Sequence, residues 1–141
     1  MRLMVMDGHG GGIGATIITR LRETIGDELE ILALGTNSIA TSRMMKAGAN
    51  RGATGENAVV VTSAKVDVIA GPVSILMADS MMGEMTGAMA SAVSSSNAHK
   101  VLIPLSQERL TIAGVSKEPL PHMVEMLVDI VRARIEEEKD S

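Results

Sequence analysis

The sequence contains no cysteine and no phenylalanine, tryptophan or tyrosine. Without cysteine there is no disulfide, no thiolate metal site and no cysteine nucleophile. Without aromatics there is no stacking platform for bases and no tyrosine acid. The core must be filled by Leu, Ile, Val and Ala, and by the 12 methionines. Strong charge of either sign is also lacking. A formal net charge of -4 gives no electrostatic reason to bind nucleic acid or an anionic membrane, so neither is expected as a partner. No charge-free stretch approaches the length of a membrane span. The apolar run after Arg2, Leu3 to Met6, is too short for a signal peptide. A cytoplasmic location is the expectation. A chain of 141 residues suffices for one domain but not two. The domain is expected over 1–135, with a charged tail over 136–141.

What is present reads as alternating strand and helix. Leu3 to Met6 is a continuous apolar run ending at glycines, as in a strand buried on both faces. Ile13, Ile17, Ile18, Leu21 and Ile25 recur at helical spacing, opposite Arg20, Arg22 and Glu23, and Gly26 stops that helix. Leu29 to Leu34 is a second strand. Strand, glycine turn, helix and strand in this order open a doubly wound fold. Ser38 to Lys46 reads as a helix ended by Gly48, and Glu56 to Ser63 as another. Val66 to Ala70 is a strand stopped by Gly71-Pro72. Ile75 to Met89 carries Met77, Met81, Met85 and Met89 at i, i+4 spacing, but Gly83 and Gly87 interrupt it, so a broken helix is expected. Ala88 to Ser96 continues as helix. Val101 to Leu105 is a fourth strand. Leu110 to Val115 is a fifth, antiparallel and at an edge, since the connection is too short for a crossover helix. Pro119 and Pro121 open the last helix, with Leu120, Val124, Leu127, Val128, Val131 and Ile135 facing the sheet. The expected fold class is α/β: a small Rossmann-like three-layer domain, with a mostly parallel sheet of about five strands and one antiparallel edge strand.

Chemistry concentrates in the first turn, Asp7-Gly8-His9-Gly10-Gly11-Gly12-Ile13-Gly14. A strand-to-helix turn binds phosphate because the helix N-terminus offers unpaired N–H groups and the positive end of its dipole. Glycines let a phosphate approach the backbone closely. The spacing of Gly8, Gly12, Ile13 and Gly14 resembles the cofactor loop of short-chain dehydrogenases, with Asp7 where that family usually has Thr. The chain has no tyrosine, so the resemblance implies the loop without the reaction. Gly11-Gly12-Ile13-Gly14-Ala15-Thr16 also looks like a nucleotide-hydrolase loop, but Ala15 stands in place of the lysine that would hold the β- and γ-phosphates. A nucleotide or other phosphorylated small molecule is the expected ligand.

Readers of NAD place an acid at the end of the second strand for the ribose hydroxyls. Here that end reads Gly35-Thr36-Asn37, with Arg43 nearby. An uncharged turn plus an arginine favours NADP; alternatively, Thr36, Asn37 or Ser38 caps the following helix. Gly71 and Pro72, ending the third strand, complete the expected site. Asp7 has two readings: a cap for the loop N–H groups, or a partner for a metal or ribose hydroxyl. His9 either touches the ligand or lies in solvent. Asp79 and Glu84, around Ser80, follow a strand end and are candidates to face the ligand or to cap a broken helix. His99 and His122 have no partner at ligand spacing, so zinc is not expected. The methionine series has the ligand type for a soft Cu(I) site, yet methionine more commonly fills core or a flexible subunit interface. A small domain this apolar is expected to form a homo-oligomer.

Beyond the loop, the chain resembles a small prokaryotic family known only as a domain of unknown function, number 3842. The resemblance runs through the opening loop, Ala33-Leu34-Gly35-Thr36-Asn37, Lys46-Ala47-Gly48-Ala49 and Gly52-Ala53-Thr54-Gly55-Glu56-Asn57-Ala58. It continues through Gly71-Pro72, Ser80-Met81, Gly83-Glu84 and Ser94-Ser95-Ser96 to Leu102-Ile103-Pro104. It implies no activity and no catalytic residues. It does imply that 52–57 and 71–84 act as units, either folding over the loop or, for Thr54, Glu56 and Asn57, capping the next helix. Three functions follow as expectations: a nucleotide-binding sensor or accessory module, a small enzyme with Asp7, Asp79 or Glu84 as acid or base, or an oligomeric structural protein whose glycine turn binds nothing.

Overall fold

The computed structural model describes residues 1–105 and 108–141. Its strands are β1 (Arg2–Asp7), β2 (Glu30–Gly35), β3 (Arg51–Thr54), β4 (Val68–Pro72) and β5 (His99–Ile103). Its helices are α1 (Gly12–Thr24), α2 (Ser38–Lys46), α3 (Glu56–Ser63), α4 (Gly87–Ser95) and α5 (Leu120–Asp140), with a short 3₁₀ turn over Val73–Leu76. The sheet order is β3-β2-β1-β4-β5, and every pairing is parallel. This is the order of a Rossmann-like doubly wound sheet.

Alternation along the strands divides the core. Leu3, Val5, Ile31, Ala33, Val68, Ala70, Val101 and Ile103 face α1, α2 and α5, where they meet Ile17, Ile18, Leu21, Met44, Val124 and Val128. Met4, Met6, Leu32, Leu34 and Ile69 face the other way, against Val59 of α3, Met89 and Val93 of α4, and Ile75, Met81 and Met85. Each fully buried side chain of this size contributes roughly 1.5–3 kcal/mol of transfer free energy. The sheet with a helical layer on each side makes three layers.

Several expectations are corrected. Leu110 to Val115 is not a strand, and the sheet has no antiparallel edge among the described residues. The segment alternates like a strand, but its side chains are exposed and Gly114 turns the chain at φ 87°. The edge strand that sequence reading missed is β3, whose four residues are all exposed and carry no apolar run. It pairs through Leu32↔Arg51 to Gly35↔Thr54. β4 lies two residues later than expected, so Gly71 and Pro72 belong to it; Pro72 is its last residue, opposite Ile103. α3 takes Gly55 as N-cap with no side-chain hydrogen bond, so Thr54, Glu56 and Asn57 do not cap it. Thr54 instead shares a 2.7 Å hydroxyl contact with Thr41. The charged segment from Glu136 continues as helix to Asp140. No helix among the described residues is long and apolar enough to cross a membrane.

Candidate functional site at the carboxyl ends of β1 and β4

β1 leads into α1 on one side of the sheet, while its neighbour β4 leads toward α4 on the other. The chain leaves adjacent strands in opposite directions here, which opens a crevice at their carboxyl ends where open α/β sheets bind ligands. A cavity of about 190 Å³ occupies it. Asp7, the loop from Gly8 to Ile13, Pro72, Ser74, Met81, Leu105 and Glu108 line it.

Asp7 is buried. Its Oδ1 accepts the amide of Gly8 at 2.8 Å and its Oδ2 that of Gly14 at 2.7 Å. Burial pushes its pKa up, outweighing the Gly14 and Gly8 amides, the His9 charge and the Ile13 amide that pull it down. Asp7 is therefore the internal cap of α1, the first of its two sequence readings. Gly11 begins the helix in the left-handed region at φ 74°, and a Cβ there would stand 2.9 Å from the Ala40 backbone. Only glycine lets α1 and α2 meet this closely. Capping leaves part of the loop open. The amides of Gly10 and Gly12 make no hydrogen bond among the described residues. The Arg43 guanidinium lies near these two residues: Nη1 donates weakly to the Gly10 carbonyl at 3.4 Å and is 3.5 Å from where a Gly12 Cβ would be. Arg43 is exposed and has no ion-pair partner among the described residues.

On the β2 side of the loop stands Glu84, which braces His9 without lining the cavity. Its Oε1 accepts from Thr36 Oγ1 at 2.6 Å, Asn37 Nδ2 at 2.8 Å and the His9 amide at 2.9 Å. The Thr36 hydroxyl, with the His9 and Asn37 donors and the His9 charge, holds this carboxyl below its ordinary range against some desolvation. Glycine at position 8 permits the approach, since a Cβ there would fall 2.4 Å from Met81 Sδ and 2.6 Å from Thr36 Oγ1. Asn37 is the cap of α2 that one of its two readings expected: its Oδ1 accepts the Ala40 amide, and its Nδ2 donates to the His9 carbonyl.

Of the expected site residues, Asp7, Gly8, His9, Gly10, Gly11, Gly12, Ile13 and Pro72 line this cavity. Thr36 and Asn37 stand behind the loop on Glu84 and His9, and Arg43 lies on the α2 side of the loop, lining a separate surface hollow with Ser38, Ser42 and Lys46. Gly14 donates inward to Asp7, Gly35 is the last residue of β2, and Gly71 the last but one of β4. Asp79 is exposed and does not line the cavity. Residues 52–57 do not line it either. Met81, Met85 and Met89 are buried in the core of their face. Sequence reading missed Met81, Ser74, Leu105 and Glu108 as lining residues. Glu108 accepts the Met81 amide at 2.6 Å; its one sequence signal is its place after a strand end.

Residues 2–136 match the model of the family described as Domain of unknown function (DUF3842). The chain belongs to this family. Neither the curated proteins nor the solved structures compared contain a match to it. In this family member, both oxygens of Asp7 and one oxygen of Glu84 accept donors of the loop or its neighbours, Asp7 from the end of β1 and Glu84 Oε1 from the β2 side.

Proposed function

We propose that the chain binds a nucleotide, or another phosphorylated small molecule, across the carboxyl ends of β1 and β4, and that it acts as a sensor or accessory module. The observation that carries this reading is the glycine loop, whose Gly10 and Gly12 amides are open among the described residues, with the Arg43 guanidinium reaching the Gly10 carbonyl from α2. Backbone donors on a glycine loop and one delocalised cation are the elements of a phosphate site. Asp7 lines the cavity, but its two oxygens accept the Gly8 and Gly14 amides, which offsets part of its repulsion of a phosphate. The cavity of about 190 Å³ is smaller than the roughly 300–1,000 Å³ of most small-molecule sites. It suits the phosphate-bearing part of a ligand whose remainder lies along the open crevice. A binding module is favoured over an enzyme because both Asp7 oxygens and Glu84 Oε1 are already engaged by amide and hydroxyl donors.

The test is calorimetric titration with NADP, NAD, ADP and inorganic phosphate. Binding by at least one nucleotide is expected, weakened roughly ten- to hundredfold in Arg43→Ala, the range of a lost charge-assisted hydrogen bond. Arg43 is exposed, so the variant should fold as the parent does. No binding by any of the four, or unchanged affinity in Arg43→Ala, overturns the reading.

A further inference from the structure

We infer that the nucleotide recognised here carries a free 2′,3′-ribose diol rather than a 2′-phosphate, and that Glu84 is the residue that reads it. This rests on the nucleotide-binding reading above. In doubly wound domains the end of the second strand decides the question: an acid there accepts the ribose hydroxyls, and an arginine accommodates a 2′-phosphate. The β2 end of this chain is uncharged in sequence, which by itself favours the phosphate. The fold changes the answer by bringing an acid from outside β2. Glu84, on the segment between β4 and α4, sits on Thr36 and Asn37 directly after β2.

The two carboxylate oxygens have different duties. Oε1 is fully used, with three donors fixing its position. Among the described residues Oε2 has only the His9 ring nitrogen, at 3.7 Å, and the side chain is 32% exposed. An ionised carboxylate is an acceptor and nothing else. It can take hydrogen bonds from hydroxyls and repels a phosphate dianion. Arg43 does not offset this, because its guanidinium lies by Gly10 and Gly12, where the proposed phosphate contact is. The positive group thus serves the loop and the negative group the β2 end, the division that an unphosphorylated ribose requires.

The experiment is a calorimetric comparison of NAD with NADP, and of ADP with 2′-deoxyADP, on the full chain. NAD should bind at least about tenfold tighter than NADP, and ADP tighter than 2′-deoxyADP, an effect of the size that a single hydroxyl–carboxylate contact supplies. Glu84→Gln should erase the NAD preference. The wild-type ratio is itself a test, so the inference stays exposed even if the variant folds poorly. NADP binding as tightly as NAD or tighter, or a ratio unchanged in Glu84→Gln, overturns this inference and leaves the phosphate site standing. Failure of every nucleotide to bind overturns both.

Discussion

The two faces of the sheet are built from different materials. Toward α1, α2 and α5 the strands present Leu3, Val5, Ile31, Val68 and Ile103, and the helices answer mainly with Ile, Leu and Val. Toward α3 and α4 the strands present Met4 and Met6, and Met81, Met85 and Met89 pack over them. Branched side chains have few rotamers and hold fixed packing positions; methionine fills irregular gaps. The difference follows the local structure. On the aliphatic face the crossovers are regular helices. On the methionine face the chain leaves β4 through a 3₁₀ turn and a run of tight turns before α4 begins at Gly87. In that run Asp79, Met81 and Met82 hold left-handed backbone, each at a cost of roughly 1–2 kcal/mol. Hydrogen bonds offset it: the Asp79 amide to the Met85 carbonyl at 2.7 Å, and Ser80 Oγ to the Ser74 carbonyl at 2.7 Å. The same run delivers Met81 to the crevice and Glu84 to the His9 amide beside it. One face supplies the scaffold, and the other supplies the segment that closes over the site.

The largest expected effect lies on the aliphatic face. Leu21 is fully buried there, and Leu21→Ala should cost about 2–5 kcal/mol through lost transfer energy and a residual cavity. Met85 is equally buried on the other face, but Met85→Leu nearly conserves volume and should cost less than about 1.5 kcal/mol. Urea denaturation of both variants measures the contrast. Met85→Leu as costly as Leu21→Ala would show that the methionine core is as closely specified as the aliphatic one, and the comparison between the faces would fail.

The two site carboxylates sharpen the contrast by responding to pH in opposite directions. Glu84, on the methionine face, has its folded pKa lowered below 4.5. Its contribution to stability is complete above the unfolded value and is lost as pH falls through the folded one. Asp7, at the end of β1, has its folded pKa raised above 3.8. The folded state then holds the Asp7 proton more tightly, so stability drops as pH rises from 3.8 through the folded value. Denaturation at stepped pH should therefore show the gap between wild type and Glu84→Gln closing on acidification through Glu84's folded pKa. Over its own window, wild type should gain on Asp7→Asn as pH falls. Two gaps that move together would refute the assignment.

The same contrast governs how far the sequence could be read. On the aliphatic face, α1, α2 and α5 follow periodicity, caps and breakers, because burial there obeys the helical period. On the methionine face the i, i+4 series suggested helix where the chain makes turns, and Gly83 marked only that a break exists. β3 was invisible because an exposed edge strand of Arg, Gly, Ala and Thr needs no apolar pattern. Leu110 to Val115 misled for the opposite reason, having the pattern without the burial. At the site, local signals served for what is local: the glycine loop, Asn37 as a cap and Asp7 as a cap. Glu84 meets His9, Thr36 and Asn37 across the fold, and no spacing along the chain encodes that meeting.

The smallest effect tests whether the strained run is kept for what it holds. Met82 is 96% exposed and sits at φ 55°, so its side chain contributes little burial while its backbone is strained. Glycine adopts this conformation freely, though it gives up more entropy on folding. The net expectation for Met82→Gly is stabilisation of about 0.5–1 kcal/mol, seen as a higher denaturation midpoint. The neighbouring residue gives the control. Met81 has nearly the same φ, 56°, but is buried over the site. Met81→Gly should destabilise, because burial lost there exceeds strain relieved. If both variants stabilise the protein, Met81 contributes nothing by packing, and the methionine face is strained at this point without return.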